Sequence, residues 1–380
     1  MATLNYDYID ASILQGLKPV VENQSMRSRP LLRKLKENVL VDGSNPLVFP
    51  ISFGAATTQT QWMSRGTTVN LVPMANMGPL SFTPALLTAN FIIYKEDELL
   101  LTQNPGKIVD FAKTWTEMLV ESIDWRLTMR LHDQGTTGTA PAEISSLKDA
   151  VGATTNTFGG RSRSSYAYWK PFVITGTTDF PGCDDPLQLE DSTKEAYILK
   201  ILQAGYAKSK RLKGVGPTDI FVGQYHFDLI ERILDPQRTG DLKKNLYGQW
   251  GFDALNYRGR SVIVADEDLV DAQIDSNSER YSDGNDYDDN FTTVTASSAS
   301  DITALNAAGR FLFLNLEKGK NWMRFWVHPA ANWTWGDWEP LANQPGAKVK
   351  HMFIQCQLVS NCSAVHGTIN NIYSPVKYSR

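Results

Sequence analysis

The chain has 380 residues, 42% of them hydrophobic and 11% aromatic, with 37 Lys and Arg against 41 Asp and Glu for a formal net charge of -4. That length buries a large core and divides into two or more lobes, and the mild acidity excludes a protein whose main task is to neutralise phosphate, because such binders concentrate Lys and Arg. No run approaches the roughly 18 apolar residues that span a bilayer, three cysteines build no disulfide framework, and no repeat of about 20 to 50 residues marks a solenoid or propeller.

The opening Met1 to Asp7 lacks the basic region and apolar stretch of a secretory signal, so folding in a bacterial-type cytoplasm is expected. Residues 1 to 45 alternate short apolar stretches with charge, and Met26 to Lys36 holds Arg27, Arg29, Arg33, Lys34 and Lys36 with no acid. This basic run is either a solvated helix face or an arm lying on another subunit, where such side chains meet carboxylates. Both readings predict exposure. From Pro50 to Asn90, Gly54, Gly66, Gly78, Pro73, Pro79 and Pro84 punctuate runs rich in Thr, Val and Phe. The pattern predicts short strands joined by turns, with weakly charged edges that invite pairing. The stretch includes Trp62, Met63, Leu71, Met74 and Met77.

Asn104-Pro105 opens a predicted helix of about 30 residues, roughly 45 Å long. Asn caps it and Pro suits its first turn, Ile108, Phe111, Trp115, Met118, Leu119 and Ile123 recur at helical spacing, and Gly135 ends it. Asn156 to Lys170 follows as a Gly159-Gly160 bend, an Arg-Ser pair and a predicted strand at Tyr166 to Trp169. A second helix is predicted from Leu189 to Lys213, with Ile198, Leu199, Ile201, Leu202 and Tyr206 on its apolar side. Gly214 and Gly216-Pro217 stop it. Thr218 to Gly223 reads as a buried strand leading into a helix at Gln224 to Leu234. Gly251 to Asp266 reads as a hairpin.

Residues 275 to 303 carry Asp275, Glu279, Asp283, Asp286, Asp288 and Asp289 in a Ser-, Asn- and Thr-rich stretch offset only by Arg280. The bland reading is a solvated insertion. The sharper one is a calcium site, although the twelve-residue loop spacing with its terminal Glu is missing. Strands then dominate from Gly309 to Ile372: Phe311 to Leu314, Asn321 to Val327 and Val349 to Val359. Trp333, Trp335 and Trp338 fit a core or subunit interface better than a platform for stacking sugars, since Trp is enriched at both of the former.

Chemistry is sparse. There is no Gly-x-Ser-x-Gly elbow, no phosphate loop and no Gly-x-Gly-x-x-Gly turn. His351, Cys356, Cys362 and His366 are spaced by five, six and four, which puts them on mixed faces of a strand, whereas structural zinc prefers tight Cys-x2-4-Cys knuckles. Free buried thiols are the expectation. Asp184-Asp185 and Asp235 follow turn logic beside prolines. No catalytic residue, cofactor or metal is nominated.

Three segments in fixed order carry a family resemblance. The bend and aromatic stretch Asn156-Thr-Phe-Gly-Gly-Arg-Ser-Arg-Ser-Ser-Tyr-Ala-Tyr-Trp-Lys170, the strand and helix Asp219 to Leu234, and Gly251-Phe-Asp-Ala-Leu-Asn-Tyr-Arg-Gly-Arg-Ser-Val-Ile-Val-Ala-Asp266 together resemble the major capsid proteins of tailed bacteriophages, which have the Hong Kong 97-type shell fold. The resemblance implies an α+β fold with an N-terminal arm (1–45), an extended β-hairpin loop (46–95) and a peripheral domain opened by a long spine helix (96–188). An axial α/β domain (189–308) carrying the acidic insertion would follow, then return strands to the peripheral domain (309–380).

The implied function is a noncovalent, quasi-equivalent shell of hexamers and pentamers around packaged double-stranded DNA, assembled in the host cytoplasm and resident in the virion. Some such shells link a loop lysine covalently to an asparagine of a neighbouring subunit. Pro50 to Asn90 has no lysine and only Arg65, so that chemistry is not expected. The resemblance implies that Trp62, Met63, Leu71, Met74 and Met77 of the extended loop serve as apolar contacts, methionine being adaptable where a surface must fit several neighbours, and the interface candidates are Arg27, Arg29, Arg33, Lys34, Trp62, Met63, Arg65, Met74 and Met77. No long charged helix extends the N-terminus, which implies a separate scaffolding protein beside a portal protein and, in those shells that carry one, a cement or decoration protein. An encapsulin-type bacterial compartment shares the fold and is the alternative, ahead of a carbohydrate-binding or hydrolytic protein.

Overall fold

The architecture comes from a computed structural model, which describes residues 29–52, 62–63, 65, 77–94, 105–132, 143–152, 154–166, 169–175, 179–180, 197–234, 254–258, 261–266, 309–317, 320, 322–341, 344 and 346–372. Two six-stranded sheets organise it. The acidic stretch 275–303 lies outside the described residues.

The first sheet is built on β15 (Lys348–Ser360), a thirteen-residue strand. Along one edge it pairs in succession with β14 (Glu339–Pro340), β13 (Thr334–Trp335) and β12 (Met323–Val327), and β1 (Val39–Val41) extends the sheet in parallel beyond β12. Its other edge pairs with β4 (Ala85–Ile93) over nine residues, from Lys348↔Ile93 to Cys356↔Ala85. Met352, Ile354, Cys356 and Leu358 alternate inward along β15, each almost fully buried, as the two-residue period of a strand requires.

Two helices cover this sheet. α1 (Pro30–Glu37) starts with Pro at its first position and buries Leu31, Leu32 and Leu35. α2 (Pro105–His132) is the long helix expected from the apolar periodicity; its 28 residues span about 42 Å. Val120, Ile123, Leu127 and Leu131 form its buried stripe at helical spacing.

The second sheet runs β7 (Phe172–Thr175), β16 (Gly367–Ile372), β11 (Gly309–Leu314), β8 (Asp219–Val222), β10 (Ser261–Ala265), β9 (Ala254–Tyr257). β8 and β10 are parallel, joined through α4 (Gln224–Leu234), and β9 and β10 form the predicted antiparallel hairpin. Of the predicted second helix, Tyr197–Lys213 is described as α3, and Ile198, Ile201 and Leu202 are buried as the periodicity required. Alternation splits the sheet's burial between two clusters. Ile220, Val222, Ile263, Phe311 and Phe313 face α3 and α4, whereas Phe221, Val264, Leu312 and Leu314 join the core shared with the first sheet. α3 sits so close that a Cβ on Gly205 would lie 2.2 Å from the Phe313 ring.

Two expectations need correction. Phe311 to Leu314 was expected among strands returning to the first sheet, but β11 and β16 lie in the second. β11 is buried on both faces, by Phe311 and Phe313 on one side and Leu312 and Leu314 on the other, so only a central place in a two-sided sheet satisfies it. Tyr166 to Trp169 was expected as a strand; instead residues 163–165 form a turn and Trp169 lies in a short 3-10 segment. That coil drives Trp169 into the core, where its indole Nε1 donates to the Phe158 carbonyl at 3.2 Å and its ring stacks on Phe158.

At the C-terminal end of α2, His132 meets the second sheet with its Nε2 3.6 Å from the Asp266 carboxylate, both side chains buried. Burial, reinforced by the Arg310 guanidinium, holds the imidazole neutral, its pKa lowered to about 3.

Candidate subunit-contact surfaces

Residues 47–52 and 77–82 form a ribbon whose two strands pair with no other described strand. β2 (Leu47–Ser52) and β3 (Met77–Phe82) run antiparallel from Leu47↔Phe82 to Ser52↔Met77. Its base is anchored. Leu47, Leu80 and Phe82 are buried, and Phe82 makes edge contacts with Phe49 and with Phe158 at 5.2 Å.

The Gly159-Gly160 bend is the socket of that anchor. It joins β5 (Thr157–Phe158) to β6 (Arg161–Ser162), and both glycines have positive φ, 61° and 71°, as a tight primed turn demands. The Gly159 carbonyl accepts the Ser81 N–H at 2.9 Å, and Arg161 Nε donates to the Pro79 carbonyl at 3.0 Å. A Cβ at Gly159 would stand 2.8 Å from the Phe82 ring. The Gly-Gly pair of the first motif therefore fixes where the ribbon leaves the body.

Between Ser52 and Met77, residues Trp62, Met63 and Arg65 are described, and all three are exposed. Trp62 is 101% exposed and Met63 59%. A two-stranded ribbon with open edges is marginal alone, and an apolar tip held in water gains stability when another surface covers it. Met74 lies outside the described residues, and Met77 heads β3.

The basic run departs from its expected exposure. Arg27 lies outside the described residues. Arg29 precedes α1, Arg33 and Lys34 are half-buried, and Lys34 forms a 3.4 Å pair with Glu37. Lys36 reaches Asp124 of α2 at 2.6 Å, with 9% and 0% of their side chains exposed, and lies 4.9 Å from the centre of the Trp333 ring. Burial pushes the Lys36 ammonium below its ordinary range, opposed by the Asp124 charge. The reason is the Leu31-Leu32-Leu35 face: it docks α1 on the sheet, and the basic side chains of so short a helix are carried inward with it. Counting charges along the sequence could not reveal a partner 88 positions away.

Trp333, Trp335 and Trp338 are half-buried and packed against the body rather than offering a bare platform. Trp333 and Trp335 pack against the main core, and the buried Lys350 ammonium lies 5.9 Å from Trp335 and 5.5 Å from Trp338. Trp338 meets Phe91, and Phe91 meets Trp115 of α2, each pair at 5.7 Å. The outer end of this ladder emerges at the surface: Trp115 is 37% and Met118 57% exposed, and Glu121, three positions past Met118, is exposed as well.

Cys356 and Cys362 are free and buried, and burial pushes the Cys356 thiol up to about 12. His366 Nδ1 accepts the Asn315 N–H at 3.1 Å, and burial lowers its pKa to about 4. His351 Nδ1 instead meets the Asn90 side chain at 2.7 Å. Among the described residues, no three His, Cys, Asp or Glu side chains group to hold a metal ion.

No protein-family model and no curated protein matches the sequence. Solved structures do match its fold. The capsid protein of cyanophage A-1(L) is similar with a TM-score of 0.53 at 14% identity, covering 91% of this chain and 93% of that one. The putative capsid protein of a prophage of E. coli CFT073 is similar with a TM-score of 0.51 at 10% identity, covering 97% and 99%. The chain has the fold of phage capsid proteins.

Proposed function

We propose that this chain is the major capsid protein of a tailed double-stranded DNA bacteriophage. Copies would assemble without covalent links into hexamers and pentamers of an icosahedral shell that encloses the genome in the virion, after assembly in the host cytoplasm. The observation that carries this reading is fold likeness over nearly the whole length of both chains, 97% and 99% for the prophage protein, rather than over one shared lobe. The first sheet with α2 would be the peripheral lobe, the second sheet with α3 and α4 the axial lobe, and the ribbon with its loop (46–95) the element that overlaps a neighbour.

Assembly on this scheme is the sum of several weak contacts per subunit, closed by rotational symmetry. The exposed Trp62 and Met63 suit it, because an apolar tip that is costly to leave in water becomes useful once a second copy covers it. A scaffolding protein and a portal protein are the partners this role implies, and a decoration protein can be added to a closed shell.

The test is negative-stain electron microscopy of the purified chain, alone and co-expressed with the genes beside its own. Closed shells or hexameric rings are the expected outcome. A chain that stays monomeric under every condition, scaffold included, refutes the proposal, and shells filled with a protein cargo in place of nucleic acid would transfer the chain to the encapsulin class.

A further inference from the structure

We propose that the exposed face of α3 is a docking strip for the phosphate backbone of duplex DNA, formed by Lys200, Lys208, Lys210 and Arg211 with Arg258 beside them. The inference rests on the shell role above and specifies which face of the second sheet's lobe is turned toward the enclosed genome.

Packing leaves the cations of α3 no choice of side. Ile198, Ile201, Leu202 and Ser209 are buried, and Ser209 Oγ donates to the Val365 carbonyl at 2.9 Å, which fixes the rotation of the helix on the sheet. At helical periodicity Lys200, Lys208, Lys210 and Arg211 then fall on the opposite side, and all four are exposed. No Asp or Glu occurs between Tyr197 and Lys213. Among the described residues no acidic side chain pairs with Lys208, Lys210 or Arg211. From Lys200 to Arg211 the strip is about 16 Å long.

Arg258, exposed just past β9, adds a cation at its edge. Its guanidinium lies 5.0 Å from the centre of the Tyr206 ring and 5.4 Å from that of Tyr257, and the two half-buried rings meet edge-on at 6.0 Å. Tyr206 stands one turn before Lys210, and the paired rings hold the guanidinium beside it, so little ordering is left to impose when an anion arrives. The neighbouring α4 mixes Asp228 and Glu231 with Arg232, so the local excess of positive charge belongs to α3, in a chain whose net charge is -4.

The chemistry of this face selects a polyanionic backbone over an acidic protein surface. Apart from its cations, the described side chains of α3 expose only Gln203 and Ala207, which gives a folded partner no large apolar anchor. Phosphates need none, because their affinity comes from charge and from the counterions they release. Contacts of this kind position a duplex without reading its sequence.

The experiment follows the fluorescence anisotropy of a labelled duplex of about 30 base pairs against the unassembled chain, between about 50 and 200 mM salt. With five phosphate contacts the logarithm of the affinity should fall against the logarithm of salt with a slope of about -4 to -5. Lys208→Ala combined with Arg211→Ala keeps good helix formers at exposed positions; it should weaken binding about tenfold or more and flatten the slope by about 2. Lys320→Ala, which removes an exposed cation elsewhere, should leave both unchanged. No measurable binding, equal weakening by Lys320→Ala, or tighter binding of polyglutamate than of duplex at equal charge overturns the assignment. Where the chain cannot be held unassembled, lysine acetylation of DNA-filled and empty particles, mapped by mass spectrometry, decides. Lys208 and Lys210 should be protected in filled particles alone. Equal labelling in both, or protection in both, overturns the docking and leaves the shell role intact. A chain that binds duplex through the strip but never forms particles sinks the shell role, and with it the inward placement of the strip, without touching its affinity for DNA.

Discussion

Two buried neutral histidines make the fold sensitive to acid in a way that can be calculated. His366 Nδ1 accepts the Asn315 N–H, a bond a protonated nitrogen cannot accept, and burial lowers its pKa to about 4. His132 is lowered to about 3 by burial and then by Arg310. Unfolded, both titrate near 6.5. Between the folded and unfolded values the unfolded chain binds more protons, so stability rises with pH there. The contribution is complete above about 6.5 and is lost progressively as pH falls toward 4 and 3. At pH 5 the shortfall is about 1.5 pKa units for each group, or about 2 kcal/mol each. Urea unfolding of the unassembled chain at pH 7 and pH 5 reads the loss directly. His366→Gln retains an acceptor for Asn315 and cannot titrate in this range, so it should start less stable yet lose about 2 kcal/mol less than the parent on acidification. An identical loss in parent and variant would refute the assignment of a neutral, accepting imidazole at 366.

The ribbon anchor and the α1 clamp give two further expectations. Gly159→Ala places a Cβ 2.8 Å from the Phe82 ring at a φ of 61°; it should destabilise by about 1–3 kcal/mol and raise the concentration needed for assembly, measured by light scattering, beyond what its melting temperature alone explains. Equal assembly at equal stability would show that the Gly-Gly bend does not aim the ribbon. Asp124→Ala strands the Lys36 ammonium among buried groups and should cost about 3–5 kcal/mol in urea unfolding, whereas Lys36→Met combined with Asp124→Leu should recover most of it. A single variant as stable as the parent would mean that water reaches Lys36.

Elements written in local pattern were legible before the structure. The apolar stripe of α2, the strand and helix at Asp219 to Leu234 and the hairpin ending at Asp266 follow from periodicity and punctuation, which depend on near neighbours. The Gly159-Gly160 bend was visible too, but its purpose was not, because Phe82 and Ser81 meet it from about eighty positions away. Trp62, Met63 and Arg65 were named as interface candidates through the family resemblance, and all three are exposed. Trp115 and Met118 were counted into the apolar periodicity of α2, and only the packing of the sheet decides that they stay partly outside.

What the sequence by itself determined is the set of unlike pieces, their order, and the absence of a loop lysine between Pro50 and Asn90. Partnership was decided in three dimensions. β11 and β16 joined the second sheet because both faces of β11 need cover, and the basic run around Lys36 turned inward because three leucines of the same helix had a core to fill. Burial and pairing are properties of residues brought together from distant positions, and a one-dimensional pattern records which side chains seek cover without recording what covers them.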